Sequence, residues 1–111
     1  MALNAAQSVL ATGTNPAPYT PTASDTIAAA DILSTGGCVM RVVTTGTLTN
    51  VSILDPNLDI QGNPGTVTPV ACPATGVRYI LIPVAAINTA TQVATVTFSS
   101  ITGATYDLIK F

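Results

Sequence analysis

After residue 37 the chain reads as β, and in two runs apolar and polar positions alternate with a period of two, which is the period of a half-buried strand. Residues 93–99 read Val-Ala-Thr-Val-Thr-Phe-Ser, placing Ala94, Val96 and Phe98 on one face and threonines on the other. Residues 50–54 alternate in the same way, with Val51 and Ile53 inward, and Asp55-Pro56-Asn57 stops the run. Residues 38–44 are rich in β-branched side chains and are bounded by Gly36-Gly37 and Gly46. Residues 77–82 are apolar on both faces, as expected of a central or interface strand, and Pro83 ends them. Residues 66–71 form a further strand, followed by a turn over 73–76. Residues 105–111 form the last one, after a Thr102-Gly103 turn. Residues 25–27 make a short strand near the start. Residues 28–33 are the best helix, with Ser24 or Asp25 as its cap.

Short strands joined by Gly, Pro and Asn turns predict an all-β fold, a single small antiparallel β-sandwich or barrel. No strand–helix–strand rhythm appears, which argues against a parallel α/β sheet. Residues 12–21 differ from the rest. They hold Pro16, Pro18 and Pro21 among turn formers, a composition that favours extended chain. Two units follow: an extended Pro-rich N-terminal arm over 1–23 and the β-sandwich domain over 24–111. The arm is expected to lie over a neighbouring subunit with Leu3, Val9, Leu10 and Tyr19 as apolar anchors, and residues 1–18 are expected to be dispensable for folding.

Composition narrows the function. The chain has 111 residues, of which 48% are hydrophobic and 7% charged, and it contains no His, Glu or Trp. Soluble domains average about 25% charged residues. All five acids are Asp, and the cations are Arg41, Arg78 and Lys110. Most enzyme mechanisms need a positioned acid, base or activated nucleophile; here the hydroxyls have no His to activate them, so no catalytic residue is expected. A net charge of −2 and three scattered cations cannot build a phosphate-binding stripe, so nucleic acid is not an expected partner. The longest apolar stretch, 79–87, is broken by Pro83 and is far short of the roughly 20 residues of a membrane helix. The first eight residues lack the basic and apolar regions of a signal peptide.

Cys38 and Cys72 lack zinc-ligand spacing and read as two reduced, buried thiols. Asp55-Pro56-Asn57-Leu58-Asp59 opens like a calcium loop, but Ile60 and Thr66 stand where an EF-hand needs Gly and Glu. No metal and no cofactor is therefore expected. Low charge leaves a solubility problem that burial against other subunits would solve. Arg78 is expected to pair with an Asp of this chain or of a neighbour, because cations are scarce.

The run from Gly36 to Ile109 resembles the small capsid decoration, or minor capsid, proteins of tailed double-stranded DNA phages. The likeness lies in an order of segments: an Asp-Thr-Ile entry, Gly-Gly and a strand, Asn50-Val51-Ser52-Ile53-Leu54-Asp55-Pro56, a Gly-Asn loop, then Cys72-Pro73-Ala74-Thr75-Gly76-Val77-Arg78-Tyr79-Ile80 and Ile82-Pro83. It closes on Ala94-Thr95-Val96-Thr97-Phe98-Ser99 and a final strand. Each motif is mostly strand and turn chemistry. The resemblance implies a virion structural protein that binds the phage capsid surface and reinforces contacts between capsid subunits. Its partner would be the major capsid protein, in a homo-oligomer or multi-copy lattice on the phage head assembled in the host cytoplasm. Candidate subunit contacts are Leu3, Val9, Leu10, Tyr19, Arg78, Tyr79 and Leu81. The alternatives are a head–tail connector or tail β-protein of the virion and, from another class, a secreted β-sandwich module for adhesion or carbohydrate binding.

Overall fold

The computed structural model of the protein describes residues 3–8, 18–34, 37–54, 56 and 69–110. The elements follow in chain order as β1 (Leu3–Asn4), β2 (Gln7–Ser8), β3 (Ser24–Ala28), the one-turn helix α1 (Ala29–Ile32), β4 (Cys38–Thr45), β5 (Thr49–Ile53), β6 (Val70–Cys72), β7 (Thr75–Ile82), a 3-10 turn (Val84–Ala86), β8 (Val93–Phe98) and β9 (Ala104–Lys110). One sheet has the order β1-β3-β8-β5-β6 and the other β2-β9-β4-β7.

The two sheets pack through the residues that the period of two turns inward. Cys38, Met40, Val42 and Thr44 point from β4 into the core, while Val39, Arg41 and Val43 between them are half-exposed. Ala94, Val96 and Phe98 do the same from β8. Val51, Ile27 and Leu108 complete the centre, and burying such a side chain contributes about 1.5–3 kcal/mol. Tyr106 is the largest fully buried side chain. Its ring stacks on Phe98 of the facing sheet at 5.4 Å between centroids and meets the tilted ring of Tyr19 at 5.7 Å.

The expected strands at 25–27, 38–44, 50–54 and 93–99 are present within one or two residues. Three expectations change. The sheets form a sandwich and do not close into a barrel, and they are mixed rather than purely antiparallel. β1 pairs in parallel with β3, and β2 in parallel with β9. One short segment crosses from the first sheet to the second at Ala5-Ala6 and pairs along each edge in the direction it already runs. Strands of two residues carry no periodic signal, so composition could not reveal them.

The second change concerns α1. Its N-cap is Ala28, with no side-chain cap bond, while Ser24 and Asp25 lie inside β3. Asp25 turns inward, where Thr22 supplies its backbone N–H to Oδ2 at 3.3 Å and its hydroxyl to Oδ1. A carboxylate bonded across the sandwich has no need of a helix terminus. The third change is β7. It begins at Thr75 rather than residue 77 and lies at the edge of its sheet, which removes the central-strand half of the expectation and leaves the interface half.

The described parts of the expected arm, residues 3–8 and 18–23, lie on the sandwich. Tyr19 makes an isolated antiparallel bridge to Tyr106, with backbone bonds of 2.7 and 3.0 Å. Residues 9–17, which hold Val9, Leu10 and most of the Pro-rich stretch, lie outside the described residues.

Candidate interaction surface

β7 carries Val77, Tyr79 and Leu81 on one face and Ile80 and Ile82 on the other. Ile80 and Ile82 are buried against the core, in register with Met40 and Cys38 of β4. Val77, Tyr79 and Leu81 point away from the core and are 45%, 66% and 63% exposed. Each has a neighbour on β4 in the same row: Val43 beside Val77, Arg41 beside Tyr79 and Val39 beside Leu81. The sheet order leaves the second side of β7 without a strand among the described residues. An eight-residue apolar edge of this kind is a template for pairing with another chain.

The apolar row continues past Pro83. Leu33 and Val84 are exposed beside it, and with Leu81, Pro83, Ser34 and Gly37 they line a shallow groove of about 380 Å³. A smaller hollow of about 160 Å³ lies on the other side of Pro83, lined by Ile53, Leu54, Ala85 and Ala86.

Charge is distributed unevenly over this frame. Arg41 Nη1 donates to Asp107 Oδ2 at 2.8 Å across neighbouring strands, on the outer face. The second oxygen of Asp107, Oδ1, is buried without a hydrogen-bond partner. Lys110 Nζ donates to Asp31 Oδ1 at 2.9 Å, and the Ala6 N–H donates to Asp31 Oδ2 at 3.0 Å. Burial alone would raise the Asp31 carboxyl, but the Lys110 hydrogen bond, the Ala6 N–H and the Lys110 charge together hold it below the ordinary range. Asp25 accepts from the Tyr106 hydroxyl at 2.6 Å. Burial, then the bond to Asp25, pushes the Tyr106 phenol up, with the Asn4 amide, which donates to the same hydroxyl, opposing them. All three described carboxylates thus tie one part of this chain to another.

Arg78 differs from the other two cations. It occupies the inward-facing row of β7, opposite buried Val42, but its side chain is exposed, on the side of the sandwich where β6 and β7 are the edge strands. Its charge reaches Cys72 on β6, the facing edge of the other sheet: burial raises that thiol and Arg78 partly counters the rise. Neither ion pair among the described residues involves Arg78, so the expected Asp partner is not found there.

Of the candidate contact residues, β7 brings Arg78, Tyr79 and Leu81 together. Leu3 is exposed on β1, at the far edge of the other sheet. Tyr19 is spent on its own chain: its ring lies on Tyr106 and its hydroxyl donates to the Ala5 carbonyl at 2.8 Å. Val9 and Leu10 lie outside the described residues, as do Asp55, Asp59 and the rest of the calcium-like opening apart from Pro56. Sequence reasoning missed Val77, Leu33 and Val84. Val77 was legible, since it shares the parity of Tyr79 and Leu81. Leu33 and Val84 were not, because only the fold brings them beside Leu81.

Cys38 and Cys72 are separate buried thiols. Among the described residues no three His, Cys, Asp or Glu side chains gather as a metal site, and no helix is long and apolar enough to cross a membrane. Compared with family models, curated proteins and solved structures, the chain matches none.

Proposed function

We propose that this protein is a structural virion component that docks on the capsid surface of a tailed phage and reinforces contacts between capsid subunits. The observation that carries the reading is the exposed apolar row Val77, Tyr79 and Leu81 on a strand that is the edge of its sheet among the described residues. A chain with 7% charged residues has little else with which to keep such a surface solvated, and apolar surface of this kind marks protein contact sites. The internal use of Asp25, Asp31 and Asp107 also supports a structural role, because those carboxylates hold the sandwich together.

Rigidity and copy number would do the mechanical work. Each copy would bury a modest area, and many copies on a lattice would add their contributions through avidity.

The test is attachment to undecorated heads. The purified protein should bind them in many copies per shell. Tyr79→Ser combined with Leu81→Ser should abolish binding while the melting temperature stays nearly unchanged, because both side chains are exposed. Binding in a single ring of copies would favour the head–tail connector. Absence of binding would remove the capsid reading.

A further inference from the structure

We propose that the open edge of β7 takes up an extended protein segment as an added strand, and that the segment carries a carboxylate which meets Arg78. The inference deepens the docking reading by naming the chemistry of the partner, and it rests on that reading only for the shell as the source of the strand.

Three observations lead to it. First, β7 is eight residues long and no described strand pairs with its second side, the arrangement that β-strand addition requires. Second, alternation along the edge offers apolar contacts at every other position, Val77, Tyr79 and Leu81, which a strand of alternating pattern would match. Third, the middle of this edge holds Arg78. The other two cations of the chain are tied to Asp107 and Asp31, whereas Arg78 has no acidic partner among the described residues. A docked strand would close over the guanidinium and remove it from water. Such a charge is tolerated only when it is paired.

Arg78 also argues against a second copy as the occupant. Two β7 edges pairing about a two-fold axis at Tyr79 would set Val77 against the partner's Leu81, which suits the apolar row. The same register puts the two Arg78 side chains on the inner face at diagonal positions, within reach of each other. Two cations there would repel. Inward-pointing charge on an edge strand is a known device against self-association. Arg78 would thus block a like partner and select an acidic one with the same atoms.

The experiment uses the full chain and two capped peptides. One is Thr-Val-Asp-Val-Thr-Val and the other has Lys in place of Asp. Titration into labelled protein, followed by amide shifts, should perturb residues 75–82. The Asp peptide should bind at least about fivefold more tightly than the Lys peptide. Arg78→Glu should reverse that preference, and Arg78→Lys should retain it. Wild-type protein should be monomeric in light scattering, and Arg78→Val should self-associate. Equal binding of the two peptides, no binding of either, shifts away from β7, or a wild-type dimer paired through β7 would each overturn the proposal. Attachment to undecorated heads separates it from the functional reading. If wild-type and Arg78→Glu proteins attach equally, the edge inference fails and the docking reading stands. If neither attaches while the peptide results hold, the capsid reading fails and the edge inference stands.

Discussion

The Tyr106 hydroxyl donates to Asp25 Oδ2 at 2.6 Å, joining the last strand of one sheet to the first long strand of the other. Both residues are 1% exposed. The bond therefore spans the interior of the sandwich, and Thr22 and Asn4 complete the cluster around it.

Tyr106→Phe should lower stability by about 1–3 kcal/mol, because the buried carboxyl of Asp25 loses a donor while the ring packing on Phe98 survives. The pH dependence follows from the raised phenol. Its folded value lies above the ordinary one of about 10, so the stability it confers is fully present below pH 10 and lost as pH rises through the folded value. Urea unfolding at pH 7 and pH 11 should show a steeper alkaline loss for wild-type protein than for the Phe variant. Parallel losses would remove the assignment.

Asp31 works in the opposite direction. Lys110 and the Ala6 N–H hold its carboxyl below the unfolded value of about 3.9, so its contribution is present above that pH and lost as pH falls through the folded value. Asp31→Asn should cost about 1 kcal/mol at neutral pH, given that Lys110 is one-third exposed, and should flatten the acid limb of the stability curve. Denaturant midpoints between pH 2 and pH 7 measure both effects.

Among the described turn glycines, Gly103 is the least tolerant of a side chain. Its φ is +68°, and a Cβ would stand 2.9 Å from the Thr45 carbonyl oxygen, whose Thr45 hydroxyl also donates to the Gly103 carbonyl. Gly103→Ala combines left-handed strain of about 1–2 kcal/mol with a backbone clash. Gly46, with φ +103° and nothing within 4 Å of its would-be Cβ, carries the strain alone. Thermal melts should therefore rank Gly103→Ala below Gly46→Ala, and the reverse order would contradict the turn geometry.

The thiols should react only on unfolding. Burial, reinforced by the Asp31 charge and eased by Lys110, pushes Cys38 up to about 11, and burial also raises Cys72. Little thiolate exists at pH 8 and neither sulfur is accessible. A thiol reagent should therefore find almost no reactive groups in native protein and two after denaturation. Rapid labelling of the native protein would mean that the sandwich opens at one of its edges.

Where β5 and β8 lie, and which way they face, is legible in residue alternation alone, whereas the two-residue strands β1 and β2 are not. Val51, Ala94, Val96 and Phe98 face the core as read, because a period of two is a local property that any half-buried strand must satisfy. Missing His and Glu and scarce charge also limit the chemistry without any structure. Which strand is an edge follows from sheet order and from nothing local. The double-sided apolar pattern of residues 77–82 suits a central strand and an interface strand equally, and strand order excludes only the central position. Tertiary structure alone also assigned the charges: Asp107 to Arg41, Asp31 to Lys110, Asp25 to Tyr106, and none of the described acids to Arg78. Those partners are 66, 79 and 81 residues apart. Local pattern holds no information about pairs at such separations: Arg41 meets Asp107 only once β4 and β9 are in register, and Asp25 meets Tyr106 only once the two sheets pack.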